Sequence, residues 1–170
     1  MPNTMTLISS QTISSNTTTV TFLSIPQTYT DLKFVVSARS SNNAYSAAWS
    51  DTNLYFNGSN TSLSIRDLAG TGSGATSNPG TVITIRIPSS GTTSNTFGNA
   101  EVYIPNYTGS TNKSSSVDLV TENNATQSRT ELQATLWSNA AAITSISIQG
   151  IDSAQFVPNS TFYLYGIVKQ

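Results

Sequence analysis

The chain has 170 residues, a formal net charge of −1, 36% hydrophobic and 9% charged residues, and neither cysteine nor histidine. That length suits one core. So few charges exclude charge-driven disorder and the clustered Lys and Arg footprint of a nucleic-acid binder, and the missing thiols exclude disulfides and thiolate metal sites.

Roughly a third of the residues are Ser or Thr, and Asn is abundant, so hydroxyls and amides replace charges as the source of solubility. Thr suits a pleated surface, whereas Ser and Asn favour turns, which points to an all-β protein. The opening "MPNTMTLISS" has neither the basic region nor the apolar run of a signal peptide, and no stretch reaches the ~20 apolar residues of a membrane span. A soluble chain made in the cytosol is expected, with residues 1–10 as an N-terminal arm.

Period-two patterning then recurs along the chain. "TTTVTFLSI" places Val20 and Phe22 on one face, and "DLKFVVSAR" places Leu32, Phe34, Val36 and Ala38 together. "TVITIRIP" aligns Ile83, Ile85 and Ile87, and "NAEVYIPNY" aligns Ala100, Val102 and Ile104. "VDLVTE" is less regular. "RTELQATLW" repeats the pattern through Leu132, Ala134 and Leu136, and "ITSISIQ" through Ile146 and Ile148. "STFYLYGIVKQ" sets Phe162, Leu164, Gly166 and Val168 against Tyr163, Tyr165 and Ile167, and reads as an inner strand with both faces covered. About eight to eleven strands result, separated by turn clusters such as "AGTGSGATSNPG" and "NYTGSTNKS". A turn or two at "SNAAAI" is the one helix candidate.

Two of the connections are long for hairpins and suit strands that cross between sheets. The expected fold is a single domain over residues 1–170: a two-sheet antiparallel β-sandwich of jelly-roll type, with a barrel as the alternative.

Chemistry is sparse. Without histidine there is no Ser-His-Asp or Cys-His machinery, and no zinc or facial-triad site of the usual kind. "GTGSG" at Gly70–Gly74 lacks the Lys-Ser/Thr ending of a phosphate-binding loop and reads as a plain loop. Asp118 and Glu122, with Glu101 or Glu131 as a neighbour, are the minimal ingredients of a glycosidase pair, but read more simply as solvated residues or as partners of Lys113 and Arg129. No Asp-rich calcium loop occurs, so no cofactor or metal is expected. Asn-X-Ser/Thr triplets are frequent, as chance dictates in this composition. Aromatic residues near turns remain as interface or ligand-contact candidates: Tyr29, Tyr45, Trp49, Tyr55 and Tyr107, with Trp49 foremost because its flanks are loop-like. Trp137 reads as a core-edge residue.

The segments "IPQTYTDLKFVVSAR", "LYFNGS", "FGNAEVYIPNYTGSTNKS", "ATLWSNAAAITSISI" and "NSTFYLYGI" resemble, in their order, small structural proteins of tailed bacteriophages, including phages of cyanobacteria. Asn159 stands where that closing pattern prefers Gly. The resemblance implies a virion component with no catalytic motif: a capsid decoration, or cement, protein on the outer capsid surface, bound to the major capsid protein, self-associated as a homotrimer and assembled in the host cytoplasm. The alternative is a receptor-binding or short tail-fibre domain whose loop aromatics stack on host surface glycans. Neither role implies nucleic-acid or membrane binding.

Overall fold

The computed structural model describes residues 4–42, 48–122 and 128–168. Twelve strands form two antiparallel sheets: β1 (Met5–Thr12), β2 (Thr19–Phe22), β3 (Asp31–Ala38), β4 (Trp49–Phe56), β5 (Leu63–Gly70), β6 (Ala75–Gly80), β7 (Thr84–Pro88), β8 (Gly98–Ile104), β9 (Lys113–Val120), β10 (Thr130–Trp137), β11 (Ile146–Gly150) and β12 (Thr161–Ile167). The large sheet runs β1-β12-β3-β8-β9-β10-β5-β6 and the small sheet β2-β11-β4-β7. The two sheets enclose one apolar core, so the fold is a β-sandwich.

Alternation explains the core. In β3, Leu32, Phe34, Val36 and Ala38 are fully buried, and Ile85 and Ile87 of β7 and Ile146 and Ile148 of β11 oppose them from the small sheet. Rings tie the layers together. Phe22 of β2 meets Phe34 edge-on at 5.7 Å, Phe34 stacks with Phe162 at 6.5 Å, and Phe162 meets Phe156 at 5.0 Å, separations at which aromatic pairs stabilise beyond their buried area.

With β5, β6, β9 and β10 set aside, four strands remain in each sheet, in the orders β1-β12-β3-β8 and β2-β11-β4-β7. The four others are two hairpins, β5–β6 and β9–β10, joined to each other by full-length β10–β5 pairing. They lengthen the large sheet alone, so it overhangs the edge of the small sheet beside β7.

Several expectations change in this frame. Residues Met5–Thr12 are no arm: they form an edge strand paired with β12, with a bulge between Leu7 and Ser9, and Ile8 packs against the core. β12 is an interior strand, between β1 and β3, but only its Phe162–Leu164–Gly166 face is buried; Tyr163 and Tyr165 are half-exposed and stack on each other at 6.3 Å. The "AGTGSGATSNPG" cluster contains a hairpin turn, closed by the Thr71 N–H donating to the Gly74 carbonyl at 3.0 Å, and the edge strand β6. "SNAAAI" is not helical. The Asn139 carboxamide oxygen accepts from the Ala141 N–H at 2.8 Å, and the Ile143 N–H donates to the Tyr107 carbonyl at 2.9 Å, which satisfies the backbone in an irregular path. Asn159 has φ +72°, a left-handed conformation that Gly adopts freely and Asn tolerates.

Candidate functional site

The overhang creates the site. β10 alternates as expected but with the opposite face inward: Glu131, Gln133, Thr135 and Trp137 are buried, while Leu132 (51% exposed), Ala134 and Leu136 (41%) face solvent. Trp137 sets this register, since its ring packs on Phe56 of the small sheet at 5.5 Å inside the core. A strand whose side-chain period is two then turns Glu131 and Gln133 to the same side. They lie beyond the edge of the small sheet, where they meet the outward face of β7 in place of the apolar core.

A chain of ionic contacts follows. Glu131 Oε2 accepts from Arg86 Nη1 at 2.5 Å and from Arg129 Nε at 2.6 Å. On the far side of Arg86, Asp51 Oδ1 lies 3.3 Å from Nε, within ion-pair range but misaligned for a hydrogen bond. Arg129 Nη2 lies 3.9 Å from Asp67 of β5, whose other oxygen accepts from the Asn78 backbone N–H of β6 at 2.7 Å. The Gln133 amide donates to the Thr84 carbonyl at 2.6 Å and to Glu131 Oε1 at 2.8 Å. Burial raises the Asp51 carboxyl above its ordinary pKa, against the pull of Arg86. Ile65, Asp67, Asn78, Pro79, Gly80, Val82, Thr84, Arg86, Arg129, Glu131 and Gln133 line a cleft of about 230 Å³ between β10–β5–β6 and β7. Among the described residues no grouping of three acidic side chains could hold a metal ion.

The aromatic candidates do not converge on one site. Trp49 is half-buried at the start of β4 with the Arg129 guanidinium 5.5 Å above its ring, so it belongs to the wall of the ionic chain. Tyr55 lies on the outward face of the small sheet, opposite Ser147. Tyr29 is half-buried, its ring lying where a Gly166 Cβ would be. Tyr107 is no contact residue: it is fully buried, its hydroxyl donates to the Pro26 carbonyl, and burial raises its pKa. Tyr45 falls outside the described residues.

The carboxylates singled out from sequence lie elsewhere. Asp118 is exposed on the outer face of β9, opposite Glu101 and Leu132, and Glu122 is exposed beyond that strand. Lys113 is buried and donates to the Thr111 carbonyl at 2.6 Å and to that of Asn139 at 3.4 Å; its pKa is lowered by burial. Arg129 pairs with Glu131 and Asp67.

Asp51, Asp67, Arg86 and Gln133 went unrecognised in the sequence, and Glu131 entered only as a neighbour of Asp118 and Glu122, because nothing there reveals the overhang. One signal was available: β10 sets Glu131 and Gln133 in strict alternation with three apolar residues and ends on Trp137, so that one face of the strand had to be anomalous. No helix of the described residues is long and apolar enough to cross a membrane. No family model, curated protein or solved structure matches the chain.

Proposed function

We propose that the chain is a non-enzymatic structural protein of a virion, a capsid decoration protein that binds the major capsid protein lattice from outside as a homotrimer and stabilises the shell. The observation that carries this reading is the leucine patch on the outer face of the overhang. Leu132 of β10 lies directly opposite Leu68 of β5, 51% and 55% exposed, and Leu136 continues the patch along β10. Contiguous apolar surface on an otherwise charge-poor, hydroxyl-rich exterior marks a face that a partner covers. Supporting it, we read the orders β1-β12-β3-β8 and β2-β11-β4-β7 as a jelly roll, an architecture shared by viral capsid and lectin domains, and the segments that resemble phage structural proteins are spread along the chain.

The mechanism is linkage. A protein that binds only the assembled lattice adds its binding free energy to the shell, and closed symmetry lets three copies engage one junction at once. The test is immunogold microscopy of intact virions, coupled with binding of purified chain to particles that lack it. The expected result is gold over the heads and restored heat tolerance, with Leu132→Asp abolishing both binding and protection while remaining folded. Gold confined to the tail tip would overturn this reading in favour of receptor binding, and cleavage of host polysaccharide lost in Asp118→Asn/Glu122→Gln would overturn its non-enzymatic part.

A further inference from the structure

The inner side of the same overhang supports a separate inference, which does not depend on where the protein sits. We propose that the cleft between β10–β5–β6 and β7 binds a small neutral polyhydroxyl group, as presented by a single monosaccharide unit.

One buried acceptor at the cleft is unmet. Gln133 is 3% exposed, lines the cleft, and its Oε1 is buried without a hydrogen-bond partner among the described residues. Its amide cannot be reversed to cure this. The opposite orientation would aim the oxygen at the Thr84 carbonyl and at Glu131 Oε1, both acceptors. An amide oxygen held in this way invites a donor, and buried polar atoms left unpaired are uncommon enough to call for one.

Charge at the cleft is balanced. Two guanidiniums, Arg86 and Arg129, are surrounded by three carboxylates, Asp51, Asp67 and Glu131. The cationic groups are compensated, so a phosphate or carboxylate ligand finds no net positive field. A hydroxyl suits both sides of such a network because it can donate to Gln133 and accept from a guanidinium N–H.

Size and polarity narrow the occupant further. Ile65, Pro79 and Val82 add apolar side chains to a lining that is otherwise mostly polar, a mixture that suits a sugar ring, with C–H on its faces and O–H on its rim. About 230 Å³ falls below the roughly 300–1,000 Å³ of pockets for drug-sized ligands, which limits the occupant to one ring.

The experiment is a titration of the full, isotopically labelled chain with D-glucose, D-galactose, D-mannose and N-acetyl-D-glucosamine, with inorganic phosphate and methylammonium as charged comparators. It is followed through the backbone and side-chain amide resonances. At least one neutral sugar is expected to move the Gln133 and Asn78 side-chain amides saturably, in the millimolar range usual for a single ring. Two variants are expected to weaken that sugar at least tenfold: Gln133→Met, which removes the acceptor, and Val82→Trp, which fills the cleft while leaving every residue of the ionic chain in place. Should Gln133→Met lose its fold, Val82→Trp decides alone. Saturable shifts of these amides by phosphate or methylammonium but by no sugar, no shifts by any compound, or sugar binding undiminished in folded Val82→Trp would each overturn the proposal.

Discussion

Replacing Glu131 by Gln tests whether the ionic chain depends on burial or merely on proximity. The substitution keeps the shape and a neutral acceptor, but removes the charge shared by Arg86 and Arg129 at 2.5 and 2.6 Å. Breaking a buried pair by deleting one partner costs about 3–5 kcal/mol. Here each guanidinium keeps one other carboxylate, at 3.3 and 3.9 Å, and 18% and 11% of their side-chain surface still reaches water. The expected loss is therefore about 2–3 kcal/mol, or a fall in Tm of roughly 4–12 °C for a chain of this size. The control is Glu101→Gln on the outer face. Its pair with Lys33 is just as short, 2.7 Å, but the two side chains are 52% and 29% exposed, so it should cost no more than about 1 kcal/mol. Thermal melts followed by circular dichroism, with urea midpoints as a check, measure both. Equal shifts for the two variants, or a rise in Tm for Glu131→Gln, would refute the argument that burial makes this network structural.

Three further perturbations have defined outcomes. Gly166→Ala would place a Cβ 2.3–2.5 Å from three carbons of the Tyr29 ring; overpacking of this kind costs about 1–3 kcal/mol, and the loss should largely vanish in a Tyr29→Ala background, as a double-mutant cycle would read. Asn159→Val forces a β-branched residue to φ +72° and should cost about 1–2 kcal/mol, whereas Asn159→Gly should stay within about 0.5 kcal/mol; equal urea midpoints would contradict the left-handed assignment. Because burial raises the Asp51 carboxyl in the folded state, its contribution to stability is complete below the unfolded value near 3.9 and declines as pH rises through the folded one. The Tm of Asp51→Asn relative to the unaltered chain should therefore climb as pH rises above about 4, and a flat or falling difference would show that Asp51 is not desolvated.

The core strands were legible because each follows one rule along its whole length. Leu32 to Ala38, Ile83 to Ile87 and Ala100 to Ile104 all face inward as alternation requires. β6 was hidden because an edge strand covered by nothing carries no apolar code; "ATSNPG" looks like a turn, and it is a strand only because β5 offers backbone partners. β10 was assigned the wrong face. Leu132, Ala134 and Leu136 satisfy the apolar half of the pattern, but Trp137 anchors the other half in the core, and a single strand cannot reveal which half the tertiary structure selects. That inversion is where local rules and fold disagree, and such disagreements gather at sites kept for function. Two of the aromatic candidates are packing residues for a related reason: a ring beside a turn can seal a sandwich end, as Tyr107 and Tyr29 do, as readily as it can face solvent.

The position of β12 governs the order in which this molecule can be completed. Among the described residues it follows every other strand, yet it is the sole neighbour of β1 and the only link between β1 and β3. Met5 waits for Ile167, and Thr12 for Thr161, among the longest loop closures the chain can make. Until they form, β3 presents an unpaired edge and β1, with Met5 and Leu7 exposed, has no partner. Closure should accordingly be slow and late, as topologies of high contact order are, and the half-built sheet is the species most open to pairing with a neighbouring chain. Crowded synthesis of many copies would thus place the greatest hazard, and any chaperone's opportunity, in the interval before β12 inserts.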